Sequence, residues 1–175
     1  MVFTKIARIL SNAVLAAVIV IAALMLVPRI LGYMPYTVLS GSMEPAYPVG
    51  GIVFVQPTAP ENLHAGDVVM YQLANGVPVT HRVVSADSTQ RTFITKGDAN
   101  PTEDPSPVPF DAVIGKAKLY LPLLGYIALF VQTVPGLICV VLMMLIVLLL
   151  PKAVGLIEEP IRNQTTKAPG KPNIG

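Results

Sequence analysis

The stretch Asp67-Val68-Val69-Met70-Tyr71-Gln72-Leu73-Ala74-Asn75-Gly76-Val77-Pro78-Val79-Thr80-His81-Arg82-Val83-Val84 decides the fold of the middle of this chain. Asp67–Gln72 and Val79–Val84 are short runs rich in β-branched residues and bounded by turn formers, the pattern of two strands. Asn75-Gly76 between them is a hairpin signal, because both residues tolerate positive φ in a tight primed turn. Ile52–Val55 and Arg91–Thr95 read as two more strands, and Ala112–Leu119 as a final one. Ser85–Gln90 is polar and turns the chain. Asn100–Pro109 carries prolines at 101, 105, 107 and 109, which are excluded from a central strand, so it reads as a rigid surface loop. The middle of the chain is therefore expected to be a mainly β domain.

Outward from this domain the composition changes. The whole chain has 175 residues, 53% of them apolar and 13% charged, against roughly a quarter charged in ordinary soluble domains. The apolar excess sits in two runs, Ile9–Val27 and Leu121–Leu150. The first is long enough to span a bilayer, which takes roughly 20 residues, and no small-x-small cleavage pattern follows it, so it reads as a retained anchor. The second is interrupted by Gly125, Gln132, Pro135 and Gly136, which places the span at Val131–Leu150 and leaves Leu121–Phe130 at the interface or closing the β domain. The expected organisation is thus residues 1–8 on one side of a membrane, an anchor at 9–27, a β domain at 28–122, an interfacial segment and second span at 123–150, and a disordered polar tail at 151–175.

Charge orients this arrangement. Of 12 basic and 10 acidic residues, Lys5 and Arg8 precede the first run, and Lys152, Arg162, Lys167 and Lys171 follow the second. Flanks rich in Lys and Arg stay cytoplasmic, so both termini are expected inside and the β domain outside. A net charge of +2 with no concentrated basic face argues against a nucleic-acid binder, and two spans cannot by themselves enclose a transport pathway. The single cysteine, Cys139, excludes an intrachain disulfide, so the β domain must hold by packing alone.

Three clusters could carry chemistry. In Ser40-Gly41-Ser42-Met43-Glu44-Pro45 a serine follows a glycine that lets substrate approach; alone, this is as well read as a polar turn opening a domain. Alternation puts Val79, His81 and Val83 on one strand face, so His81 projects from an apolar surface, either as a neutral base or as a half-buried structural histidine. His64, before a turn, reads as a solvated loop residue. In Thr95-Lys96-Gly97-Asp98-Ala99-Asn100 and Glu103-Asp104, either Asp98 or Asp104 could orient His81, while a turn and a solvated loop edge are the plainer readings. Lys96 is an alternative base, ranked below His81 because a lysine beside a Gly-Asp turn is exposed and charged. No metal-ligand spacing, phosphate loop or dinucleotide motif occurs in the sequence, so no cofactor is expected.

Together, in this order, the anchor, Ser-Gly-Ser-Met-Glu-Pro, Gly-Asp-Val-Val at 66–69, Thr-His-Arg-Val at 80–83, Thr-Lys-Gly-Asp-Ala-Asn at 95–100 and Asp104 resemble the type I signal peptidases. The resemblance is to the serine–histidine branch, which includes the endoplasmic-reticulum enzyme, archaeal enzymes and one class of Gram-positive bacteria, and it covers roughly residues 35–120. It implies a coiled β-sheet peptidase domain and a membrane-bound serine endopeptidase that removes signal peptides. Ser42 would be the nucleophile, His81 the general base and Asp104 the third member, with Asp98 supporting the site. The Ser40 hydroxyl and Ser42 amide would form the oxyanion hole. Signal peptides of secreted preproteins, the lipid bilayer and the secretion translocon are the implied partners, and the plasma membrane the implied location. A specialised processing peptidase and a non-catalytic interaction module are the alternatives.

Overall fold

The computed structural model describes residues 2–165, and the side chains of residues 3–156. The chain divides into two units, residues 24–132 and the two flanking segments 1–23 and 133–175.

The first unit is one seven-stranded antiparallel sheet. Its strands are β1 (Met34–Thr37), β2 (Ile52–Gln56), β3 (Val68–Gln72), β4 (Pro78–Asp87), β5 (Thr92–Lys96), β6 (Val108–Pro109) and β7 (Val113–Leu121). Their order across the sheet is β1-β2-β7-β3-β4-β5-β6. Strand β3 lies at the centre, and all of Val68–Tyr71 is buried because both faces of the curled sheet are covered. Val69 and Tyr71 join Leu63, Val83, Phe93, Val108 and Phe110 in one core, in which the Phe93 and Phe110 rings stack at 4.5 Å. Val68 and Met70 join Met43, Val53, Val55 and Ala117 in the other. One strand therefore couples two cores, and alternation alone assigns each side chain to its core.

The β3–β4 hairpin forms where expected, but its connection is longer than a two-residue primed turn. Strand pairing ends at Gln72↔Pro78, leaving a five-residue loop in which only Gly76 takes positive φ, at 83°. Leu73 and Val77 close the loop, and Asn75 Oδ1 accepts the Val77 amide at 3.1 Å. Strand β4 also outruns its expected end. A bulge at Val84 absorbs the register change, and the turn begins at Asp87, whose Oδ1 accepts the amides of Thr89 and Gln90 at 2.8 and 2.9 Å. Strand β1 has no signal in sequence beyond Tyr36-Thr37; Pro35 is accommodated because this is an edge.

A short helix, α2 (Leu124–Val131), closes this unit. It packs so tightly on the Gly50-Gly51 backbone that a Cβ on Gly125 would lie 2.5 Å from the Gly51 carbonyl oxygen. Leu121–Phe130 is thus partly strand and partly a helix of the β unit, which runs to residue 132 and not to 122.

The second unit consists of the long apolar helices, the N-terminal one as far as Ala23. Helix α1 (Val2–Ile30) extends beyond the expected 9–27 at both ends, and Gly32, at φ +87°, stops it with the Tyr33 amide bonded to the Pro28 carbonyl. Helix α3 (Val134–Thr165) starts where the Thr133 hydroxyl accepts the Gly136 amide at 3.0 Å, with Pro135 in its first turn. Phe3–Ile30 and Val134–Leu156 are long and apolar enough to cross a membrane. Residues 151–165 continue α3, contrary to the disorder expected from the tail's composition. The run Lys152-Ala153-Val154-Gly155-Leu156-Ile157-Glu158-Glu159 has mostly good helix formers, and the polar, Pro-rich character is concentrated farther on. Residues 166–175, also expected to be disordered, lie outside the described residues.

Candidate active site

Ser42 sits in the loop between β1 and β2, which is closed at its base by paired bonds between Val38 and the Gly50-Gly51 segment. Its neighbour Met43 is 2% exposed and plugs into the core with Val53 and Met70, so the serine's backbone is fixed by a buried side chain. Two tight turns follow, Glu44 N–H to the Gly41 carbonyl at 3.0 Å and Tyr47 N–H to the Met43 carbonyl at 2.9 Å. The Ser42 carbonyl accepts the Ala99 amide at 2.9 Å, tying this loop to the Gly97–Asn100 turn. Gly97 is required there: a Cβ would lie 2.6 Å from the Ser42 carbonyl oxygen and 2.8 Å from Asn100 Nδ2.

His81 lies in the middle of β4, opposite Val69 and buried, on the apolar face that alternation indicates. Arg82 pairs with Lys96 on β5, so the next position in register sets Gly97 opposite His81. The loop that carries Ser42 is therefore packed against the residue facing the histidine. Ser42 and His81 make no direct hydrogen bond among the described residues; Gly97 is the link between them.

The two aspartates separate cleanly. Asp104 is bonded through its amide to the Thr95 carbonyl at 2.8 Å, and its Oδ2 lies 2.6 Å from His81 Nδ1. An ionised carboxylate only accepts, so the proton is on Nδ1 and Nε2 is left as the acceptor. The same Oδ2 accepts from Thr95 Oγ1 at 2.6 Å and from the Tyr71 hydroxyl at 3.1 Å. Asp98 does not reach His81. Its carboxylate is held by the Arg82 fork, Nε to Oδ1 at 2.8 Å and Nη2 to Oδ2 at 2.6 Å, because Arg82 points to the opposite face of β4 from His81. Asp98 thereby fixes the turn on which the Ser42 carbonyl rests. Lys96, paired with Arg82, alternates away from the buried Thr95 beside the histidine. His64 is exposed, and its amide donates to Asp67 Oδ2.

Electrostatics follow the contacts. Burial pushes the Asp104 carboxyl up, but the hydrogen bonds from Thr95 and His81 and the histidine's charge outweigh it and leave the group below the ordinary carboxylate range. Burial raises the Tyr71 phenol to about 12, with the Asp104 charge adding to it, so Tyr71 remains a neutral donor. The Asp98 hydrogen bond raises the Arg82 guanidinium. A carboxylate lowered on folding stabilises the fold above its unfolded value near 3.8 and loses that contribution as pH falls through its folded value. The stability gap between wild type and Asp104→Asn, followed by thermal unfolding, is accordingly expected to be full at pH 6 and to shrink below about pH 4. A gap that widened in acid would contradict this reading.

Tyr71 escapes a motif-based reading, and the motif at 95–100 contains Thr95 without by itself giving it a role beside Asp104. Tyr71 faces Val79 across the hairpin, which sets it on the His81 face one pair away, so hairpin register could have found it. Next to Ser42 opens a cleft of about 340 Å³, lined by Ser40, Val38, Leu39, Val53, Met70 and Thr80 among others. A second cleft, about 590 Å³, reaches His81 and Asp104 from the Pro105–Pro109 side. No group of three or more His, Cys, Asp or Glu that could hold a metal occurs among the described residues.

Residues 11–94 match the family described as signal peptidase, peptidase S26. Among similar proteins is the signal peptidase complex catalytic subunit SEC11 of Komagataella phaffii, 34% identical over 110 residues, covering 54% of this chain and 64% of that protein. The SEC11 subunit of Lachancea thermotolerans is 37% identical over 111 residues, with the same coverage of 54% and 64%. The human signal peptidase complex catalytic subunit SEC11C is 30% identical over 109 residues, covering 56% of this chain and 57% of that protein. The chain thus spans 57% to 64% of the length of these relatives. Most of the N-terminal helix, the Ser42 loop and the His81 strand lie inside the matched stretch, so this part of the chain is similar to the signal peptidase family, peptidase S26.

Proposed function

We propose that this chain is a membrane-bound serine endopeptidase that cleaves signal peptides from secreted preproteins. The observation that carries the proposal is the 2.6 Å contact between His81 Nδ1 and Asp104 Oδ2, on a strand whose facing residue, Gly97, packs on the Ser42 backbone. Ser42 Oγ attacks the scissile carbonyl and His81 Nε2 takes its proton, while Asp104 stabilises the imidazolium and holds the tautomer. The leaving amine takes that proton from His81, and a water then hydrolyses the acyl-enzyme by the same base. The Ser42 amide and the Ser40 hydroxyl receive the oxyanion. The hydrogen bond from Ser42 to His81 forms with substrate bound, as catalytic contacts tighten in the Michaelis complex. Asp98 is a positioning residue in this scheme, acting through Arg82 and the Gly97–Asn100 turn.

Substrate and site meet at a membrane. The two apolar helices are the anchors, and Lys5, Arg8 and Lys152 favour cytoplasmic ends, leaving residues 32–132 on the outer face of the plasma membrane. Gly32 to Ser42 is ten residues, a reach of at most about 35 Å, which restricts the nucleophile to the neighbourhood of the bilayer. A membrane-inserted signal peptide presents its cleavage site there as an extended strand against the sheet edge. The cleft beside Ser42, walled by Val38, Leu39, Val53 and Met70, suits small apolar side chains on the amino side of the cut. The secretion translocon is the natural source of such substrates.

The test is cleavage of a membrane-inserted preprotein by the full chain in proteoliposomes. A single new amino terminus after a small residue is expected; an intact preprotein would contradict the proposal. Within the same assay, Gly97→Ala displaces the Ser42 backbone, and about a 100-fold loss in kcat is expected, the cost of roughly 1 Å of misplacement. Unchanged kcat in a folded Gly97→Ala protein would remove Gly97 from the account.

A further inference from the structure

We infer that the ends of α1 and α3 form a binding site for the anionic headgroup of a bilayer phospholipid. A cleft of about 420 Å³ is lined by Arg8 from α1 and by Pro151, Lys152, Gly155 and Leu156 from α3. The helices meet at this end: Thr4 is the neighbour of Gly155, 4.0 Å from where its Cβ would be, and Ala7, Ser11 and Val147 are buried. The absence of a side chain on Gly155 leaves the space open. Two cations from different helices therefore converge on one cavity, and neither forms an ion pair among the described residues.

The level of these cations along the helices sets the ligand. No charged residue lies between Arg8 and Arg29 or between Lys118 and Lys152. At 1.5 Å per residue, Arg8 to Ile30 is about 33 Å and Val134 to Lys152 about 27 Å, both close to the roughly 30 Å hydrocarbon core. If the helices span, as the proposed function holds, Arg8 and Lys152 lie at the same headgroup level. Basic pockets between spanning helices hold anionic headgroups. The apolar wall of Pro151 and Leu156 beside the two cations suits a phosphodiester with acyl chains attached, whereas a free phosphate would use only the cations.

The experiment measures lipid retention by the purified full chain released from nanodiscs, by native mass spectrometry. The nanodiscs contain phosphatidylcholine with or without phosphatidylglycerol. Wild type is expected to retain phosphatidylglycerol in preference to phosphatidylcholine. Arg8→Gln and Lys152→Gln should each lower retention about fivefold, and the pair about thirtyfold. Lys5→Gln, one turn away and outside the cleft, should change it less than twofold, and inorganic phosphate at millimolar concentration should not displace the lipid. Equal losses from Lys5→Gln would reduce the effect to net charge, and displacement by phosphate would make the site one for the free anion; either overturns the inference. Resistance to carbonate extraction is scored in parallel. An integrated chain that retains no phosphatidylglycerol overturns the lipid site alone, whereas an extracted chain overturns the membrane reading on which it stands.

Discussion

Replacing Ser42 by Ala is expected to lower kcat for preprotein cleavage by about 10⁵- to 10⁶-fold while leaving the fold and substrate affinity near wild type. Loss of the nucleophile in serine–histidine hydrolases costs on the order of 10⁶ in kcat, with residual activity from oxyanion stabilisation and binding. Among the described residues that line the cleft beside Ser42, no other serine is held in the same way. Ser40 lines the same cleft but lacks the backbone tether to Ala99 and the Met43 plug that follows Ser42 directly. The Ser42 side chain makes no hydrogen bond among the described residues, so its removal costs no native contact. A thermal midpoint within about 2 °C of wild type should accompany the lost activity, which separates chemistry from folding.

The second large effect separates the two aspartates. Asp104→Asn should lower kcat by about 10⁴-fold, since an amide at 2.6 Å from Nδ1 favours the wrong tautomer of His81 and cannot stabilise the imidazolium. Asp98→Asn removes the charge from a bidentate Arg82 pair and should cost about 10-fold through loosening of the Gly97–Asn100 turn, with part of the loss appearing as lower stability. Arg82→Lys should resemble Asp98→Asn, because a lysine cannot span both carboxylate oxygens. Steady-state kinetics and unfolding on the four proteins give the contrast. Equal loss from both aspartate variants would contradict the division of labour.

These assignments mark the boundary of what the residues declare by themselves. Alternation along Val79–Val84 is a local property, so it placed His81 on the buried face without any knowledge of the sheet. The choice between Asp98 and Asp104 is not local. It depends on which face Arg82 takes and on the course of a Pro-rich loop that brings Asp104 back beside Thr95. Tyr71 and Met43 look like ordinary core residues in sequence, and only cross-strand register and the path of the 38–51 loop make them supports of the site. Strand β1 was illegible because four residues containing a proline give no period. The apolar excess was legible as two helices long and apolar enough to cross a membrane, and the interruption at Gln132, Pro135 and Gly136 put the start of the second at Val131, three residues before α3 begins behind the Thr133 cap.

The most direct test of the Ser42–His81–Asp104 mechanism is to quench the full chain in acid during turnover of a preprotein and locate the acyl group by peptide mapping. The mechanism predicts added acyl mass as an ester on Ser42, accumulating when deacylation is slowed and missing in Ser42→Ala. Full-rate cleavage by Ser42→Ala, or an acyl group carried on any other residue, would contradict it.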